Sequence, residues 1–271
     1  MVKIRAYWDD AYSNSAYIPD GDCYPARWAA AAAEFRAGQP SARLDQAYGL
    51  RPRERFDLFL PDAPPAGTLI FIHGGYWMTF DKSWWSHLAA GALARGWAVA
   101  MPSYTLCPEA RIDAIVLQMA YAVEAVGALV PGPLRLAGHS AGGHLATRLC
   151  CDDRLLSEAL AQRVDCVLSI SGLHDLRPLL ATSLNETLKL DPEAAAVDSP
   201  ALLRPRPGLA AICWVGGDER PEFRRQSALL ANIWSGVGAE TELVEQPHRH
   251  HFNVIEDLAR PDSQLLARLL S

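Results

Sequence analysis

A serine between closely placed glycines, Gly138-His139-Ser140-Ala141-Gly142, is the stretch of this chain best suited to chemistry. The apolar run Pro133–Ala137 before it reads as a buried strand, and His144–Leu149 after it reads as a helix. Glycines on both sides of a strand-to-helix turn let the chain bend so tightly that the serine hydroxyl projects clear of the backbone. Ser140 is therefore the candidate nucleophile; the plainer reading is a glycine-rich turn carrying a solvated serine. Attack on a carbonyl puts negative charge on its oxygen, and that charge must be met by N–H donors already in place. Thr68–Ile72, another buried strand, runs into His73-Gly74-Gly75-Tyr76-Trp77, where two glycines let the backbone approach and aim its amides. Gly74, Gly75 and Ala141, the residue after the nucleophile, are the oxyanion-hole candidates. His73 is expected to brace the loop.

A serine hydroxyl is a weak nucleophile at neutral pH, so it needs a base, and the base needs an orienting acid. For a serine in such a turn the chain order is serine, then acid, then histidine. The run Ala210–Val215 breaks into Gly216-Gly217, and Asp218-Glu219 follow at once. Asp218 is the expected acid because it comes first after the turn. Glu219, or a helix-capping role for Asp218 with the acid elsewhere, is the alternative. Three histidines, His248, His250 and His251, follow the strand at Thr241–Glu245. His251 ends the loop before the next helix and is preferred, with His248 and His250 left open. The His-x-His-His cluster lacks a suitably spaced carboxylate or cysteine, and a metal would compete for the base. No metal and no cofactor are expected.

The elements that must hold these residues follow from strand-like runs alternating with helix-like ones. This is the pattern of a mostly parallel sheet covered on both faces. Strands are predicted at 56–60, 68–72, 98–102, 134–137, 166–170, 210–215 and 241–245, and helices at 25–36, 83–95, 112–129, 141–151 and 222–234. The expectation is one α/β domain over residues 1–271. Residues 1–50, rich in tyrosine and tryptophan, would form an arm over the sheet edge. The proline-rich stretch 172–208 is either a cap over the site or a surface excursion.

The 271 residues, half of them hydrophobic, can bury a substantial core, and the net charge of −6 comes with no basic stripe. That composition argues against nucleic acid and an anionic membrane surface as partners, and for a small-molecule substrate. No apolar stretch reaches the roughly 20 residues that span a bilayer. The N-terminus lacks a signal peptide's apolar segment. A cytoplasmic protein is expected, with a homodimer among the states left open. The six cysteines show no Cys-x-x-Cys spacing, and several lie in apolar runs, so they read as reduced core residues.

Several motifs together resemble α/β-hydrolases of the kynurenine formamidase (arylformamidase) type. They are His-Gly-Gly-Tyr-Trp at 73–77, Gly-His-Ser-Ala-Gly-Gly-His at 138–144, Gly-Gly-Asp at 216–218 and His-Phe-x-x-Ile-Glu at 251–256. Ser171–Leu179, Tyr104–Pro108 and Asp45–Gly49 also look like segments of that family, so the resemblance spans residues 7–265. It implies an eight-stranded, mostly parallel sheet with a small cap and a triad of Ser140, Asp218 and His251. It implies hydrolysis of N-formyl-L-kynurenine to kynurenine and formate through an acyl-enzyme. The same motifs are similar to short-chain carboxylesterases of the hormone-sensitive-lipase-like group, which carry a third glycine where Tyr76 stands here. A non-catalytic binding module of the same fold is disfavoured, since every catalytic part is present. Tyr76 and Trp77 are candidate pocket walls, and His144 a brace of the turn. Arg111, Arg177 and Arg204 are equal candidates for a substrate carboxylate. Asp175, Thr182 and Asn185 would order the cap or satisfy local turns.

Overall fold

Strands β1 (Arg43–Ala47), β2 (Arg55–Phe59), β3 (Thr68–Ile72), β4 (Ala98–Pro102), β5 (Leu134–His139), β6 (Val164–Ile170), β7 (Ala210–Gly216) and β8 (Glu240–Gln246) form one sheet in a computed structural model that describes residues 2–271. Their order is β1-β2-β4-β3-β5-β6-β7-β8, antiparallel at the β1–β2 and β2–β4 pairs and parallel elsewhere. The seven predicted strands are all present within two residues at either end. β1 is the addition. Its residues Arg-Leu-Asp-Gln-Ala are mostly exposed on the sheet edge and carry no alternation for a sequence reading to find.

The central strands are mostly apolar because both faces are covered. Along β3 the side chains alternate: Ile70 and Ile72 enter one core, while Leu69 and Phe71 enter the other. The first core packs the helices Ile112–Leu129, Ala141–Arg148 and Pro221–Gly236 on the sheet. The second packs Trp28 of the helix Tyr24–Ala37 and the C-terminal helix Gln264–Leu269 on the opposite face. Each fully buried Leu, Ile or Phe contributes about 1.5–3 kcal/mol relative to exposure. The segment 83–95, predicted as one helix, is two 3₁₀ turns followed by the short helix Ala90–Ala94. The helix Ile112–Leu129 is long and apolar enough to cross a bilayer, but half of it is buried.

The two regions that fall outside the alternation pack against each other. The insertion after β6 folds as short pieces, Arg177–Ala181, Asn185–Leu188, Pro192–Val197 and Pro200–Leu202. Prolines stand in the first turn of three of them, where a missing N–H costs nothing. The N-terminal helix Val2–Ala11 lies against this insertion rather than on the sheet edge. Arg5 pairs with Glu186, and the Ser183 amide donates to Asp9 Oδ1 at 2.6 Å. Farther along, the buried Tyr12 hydroxyl donates to Glu222 at 2.8 Å, fixing the arm to the helix Pro221–Gly236.

Candidate active site

Ser140 leaves β5 with φ +55° and ψ −119°, a conformation costly for a side chain with a β-carbon and held here by its surroundings. Its amide donates to the Ile170 carbonyl at 2.8 Å, which ties the turn to β6. The turn passes so close to β3 that a β-carbon on Gly142 would sit 2.0 Å from the Ile72 carbonyl oxygen. The glycine two residues after the serine is thus required by packing. Ala141 begins the following helix, so its amide is among the helix N-terminal donors that have no partner within the helix.

The 73–77 loop brings Gly74 against the nucleophile. A β-carbon there would lie 3.1 Å from Ser140 Cβ and 2.8 Å from the His139 carbonyl oxygen. Gly75, Tyr76 and Trp77 follow with φ of +107°, +51° and +57°. Among the described residues, the amides of Gly74, Gly75 and Ala141 donate to no backbone carbonyl. His73 braces this loop: Nδ1–H donates to the Gly74 carbonyl at 2.7 Å, and the ring stacks on Tyr104 at 4.3 Å.

The base is His251. Its buried ring lies between Phe223 and His139, with centroids 4.4 and 4.6 Å away. Nδ1 sits 2.7 Å from Glu219 Oε2. With that nitrogen donating to a carboxylate, Nε2 carries the lone pair a general base needs. His251 and Ser140 line one cavity. The other histidines of the cluster point elsewhere: His248 is exposed, and His250 meets the Tyr24 hydroxyl at 3.2 Å.

The carboxylate that meets His251 is where the structure departs from the sequence expectation. Asp218 is exposed, and what it contributes is its backbone amide, which donates to the Arg249 carbonyl at 2.9 Å. Glu219 is the carboxylate on the imidazole. The chain turns back after β7, with the Glu219 amide donating to the Gly216 carbonyl at 3.2 Å. This turn points its third residue outward and returns its fourth to the sheet end. Glu219 Oε1 then accepts from the Gly216 amide at 2.8 Å and from the Ser171 hydroxyl. These donors fix the carboxylate while Oε2 holds His251.

His139 has a place here that the sequence reading missed. Its Nε2–H donates to the His251 carbonyl at 2.9 Å, so the residue before the nucleophile also holds the base loop. Burial drives its pKa well below the ordinary histidine value, which keeps the ring neutral. The only sequence signal was its position inside the glycine motif.

The cavity measures about 380 Å³. Tyr76 lines it and donates its hydroxyl to the Tyr12 carbonyl. Trp77 does not line it: the indole is wholly buried in the core, edge-on to His144 at 5.1 Å. The left-handed backbone of Trp77 turns its side chain inward. Its place is taken by Trp28, Phe80, Trp85 and Phe252. His144 does not line the cavity either; its Nε2–H donates to the Asp198 carbonyl at 2.7 Å. Arg111 pairs with Asp191 at 3.3 Å, Arg177 with Asp175 at 2.8 Å, and Arg204 is exposed. None of the three lines the cavity. Thr182 and Asn185 satisfy local turns, through Leu179 and Leu190.

Residues 69–253 match the model of the alpha/beta hydrolase fold family. The chain is 31% identical to the kynurenine formamidase of Salmo salar over 88% of its own length and 84% of that protein's. It is also 31% identical to the kynurenine formamidase of Danio rerio, over 84% and 80%. A Silicibacter crystal structure, described there as a candidate thioesterase, superposes with a TM-score of 0.93 at 51% identity, covering 97% of this chain and 98% of that one. The chain thus belongs to the alpha/beta hydrolase family, as a serine hydrolase of its formamidase and esterase branch.

Proposed function

We propose that this hydrolase cleaves small aryl formamides, N-formyl-L-kynurenine foremost, through a formyl-enzyme on Ser140. Ser140 attacks the formyl carbonyl while His251 Nε2 takes its proton, and Glu219 holds the imidazole in the tautomer that can do so. The oxygen, now negative, receives the amides of Gly74, Gly75 and Ala141. His251 then returns the proton to the aniline nitrogen, and the C–N bond breaks. Water, activated by the same histidine, cleaves the formyl ester to formate.

The observation that carries this reading is the aromatic cavity around the nucleophile. Trp28, Phe80, Trp85 and Phe252 share its wall with Ser140 and His251. Such a wall suits an aryl leaving group, and a formyl group needs almost no room on the acyl side. The kynurenine formamidase name of the fish relatives supports the same substrate. The Silicibacter protein's description points to thioesters instead.

The test is turnover of N-formyl-L-kynurenine beside p-nitrophenyl acetate and a short-chain acyl thioester, in wild type and Ser140→Ala. Deformylation as the fastest reaction, lost by at least about 10⁴-fold in the variant, is the expected result. Cleavage of the ester or thioester with formylkynurenine untouched would keep the serine mechanism and overturn the substrate.

A further inference from the structure

Apart from its histidines, the cavity wall carries a single formally charged side chain among the described residues, and it is a carboxylate. That residue is Asp9, at the end of the N-terminal helix. Among the described residues, no lysine or arginine lines the cavity. Asp9 is held across two segments: Oδ1 accepts the Ser183 amide at 2.6 Å, and Oδ2 lies 3.8 Å from Arg5 Nε. Arg5 itself is outside the wall, with its guanidinium engaged by Glu186. Five residues on, Asn14 also lines the cavity and is only 8% exposed. Its carbonyl accepts the Tyr17 amide at 3.0 Å, and its carboxamide is a neutral group that can both donate and accept. That carboxamide is not among the wholly buried polar atoms left without a partner; lying on the cavity wall, it is open to water and to a ligand's polar group.

We propose that the segment 9–15 is a subsite for an amino-acid head group, with Asp9 taking an α-ammonium and Asn14 the neighbouring carboxylate. The proposal rests on the formamidase reading for the rest of the ligand, whose ring occupies the aromatic wall and whose formyl group reaches Ser140. The charge pattern sets the specificity. An ammonium donates a charge-assisted hydrogen bond to Asp9. A carboxylate beside it is accommodated by neutral donors, the Asn14 carboxamide and the Ser13 hydroxyl. An aryl formamide carrying only a carboxylate would face Asp9 with no cation to offset it. Among aryl formamides, the site therefore selects zwitterionic or amine-bearing compounds over anionic ones. No arginine clamp is needed, which accounts for the placement of Arg111, Arg177 and Arg204 outside the cavity.

The test compares affinity for L-kynurenine with affinity for its desamino analogue, measured by calorimetry on the full chain as wild type and Asp9→Asn. Asparagine keeps the shape and the oxygen that accepts from Ser183, so only the charge is removed. Wild type is expected to prefer the ammonium-bearing compound by tenfold or more, and Asp9→Asn to erase that preference. A folding defect would weaken both compounds together and leave their ratio intact. No preference in wild type, or one that survives in Asp9→Asn, would overturn the proposal. Asn14→Ala should weaken L-kynurenine more than its carboxamide derivative; equal weakening removes Asn14 from the subsite. Formylkynurenine left unhydrolysed while the affinity pattern holds would sink the formamidase reading alone.

Discussion

Glu219 and Asp218 are neighbours with opposite surroundings, one buried on the imidazole and the other in solvent. Removing charge from the carboxylate that orients a catalytic histidine typically lowers kcat by about 10³–10⁴, because the wrong tautomer becomes available. Glu219→Gln should show a fall of that order with any substrate the enzyme accepts, and Asp218→Asn should stay within about twofold of wild type. Steady-state kinetics on the two variants decide the matter, and the reverse pattern would return the role to Asp218. The sequence pointed to this corner of the site but not to the residue. A glycine pair after a strand announces a turn, yet counting from it cannot say which of two adjacent acids the turn sends back to the sheet. That depends on the 216–219 hydrogen bond, which is a property of the backbone path. Ser140 was legible for the opposite reason: its motif is itself a statement about close backbone approach, and the 2.0 Å clearance at Gly142 is what that statement means.

At the scale of elements, the 73–80 loop is the most constrained segment around the nucleophile. Its three consecutive left-handed residues are held by the Cys107 amide on the Trp77 carbonyl at 2.8 Å and by the Met78 amide on Gly75 at 2.9 Å. Backbone of this kind persists only where its surroundings over-determine it. Gly74→Ala would press a β-carbon onto the His139 carbonyl and Ser140, pushing the loop's amides away from the developing oxyanion. We expect kcat to drop about 10²–10³-fold, the usual cost of losing one such donor, with a smaller change in KM. A Gly74→Ala enzyme of normal kcat would remove this loop from the oxyanion hole. The same scale shows where sequence reading falls short. β3, β4 and the helix Ile112–Leu129 were found at their observed ends because burial on both faces, or on one long face, writes itself as apolar residues. The helix Val2–Ala11 was not foreseen. Of its residues Ile4 and Tyr7 are exposed, and its partners are polar groups on an insertion some 170 residues away, such as the Ser183 amide on Asp9. Nothing local encodes such a pairing.

Across the whole molecule, the histidines set how the fold responds to acid. His73, His139, His144 and His174 are almost wholly buried, and burial lowers the pKa of each: to about 4 for His73, about 3 for His144 and His174, and well below the ordinary value for His139. His87 and His250 shift the same way, His87 to about 4. A histidine neutral in the fold but ordinary when unfolded binds its proton only in the unfolded chain as pH drops below 6.5. Its contribution is therefore whole above that pH and is lost progressively toward its folded pKa. The slope is about 1.4 kcal/mol per pH unit for each such group, or roughly 2 kcal/mol per buried histidine at pH 5. Asp198 and Glu256 oppose this, since burial raises their pKa and their desolvation cost is relieved on protonation. They are two groups against six, and their ordinary values of 3.8 and 4.5 start lower on the pH scale. A domain stabilised by about 5–15 kcal/mol cannot absorb the loss from four such histidines without a large change in stability. Urea unfolding at pH 7.5, 6 and 5 should thus show the midpoint falling steeply below pH 6.5, with His144→Gln flattening the dependence. A midpoint constant from pH 7.5 to 5 would mean that these rings accept protons inside the fold. The bonds they make, from His139 to the His251 carbonyl and from His144 to the Asp198 carbonyl, would then have to survive a charge that the buried surroundings offer nothing to balance.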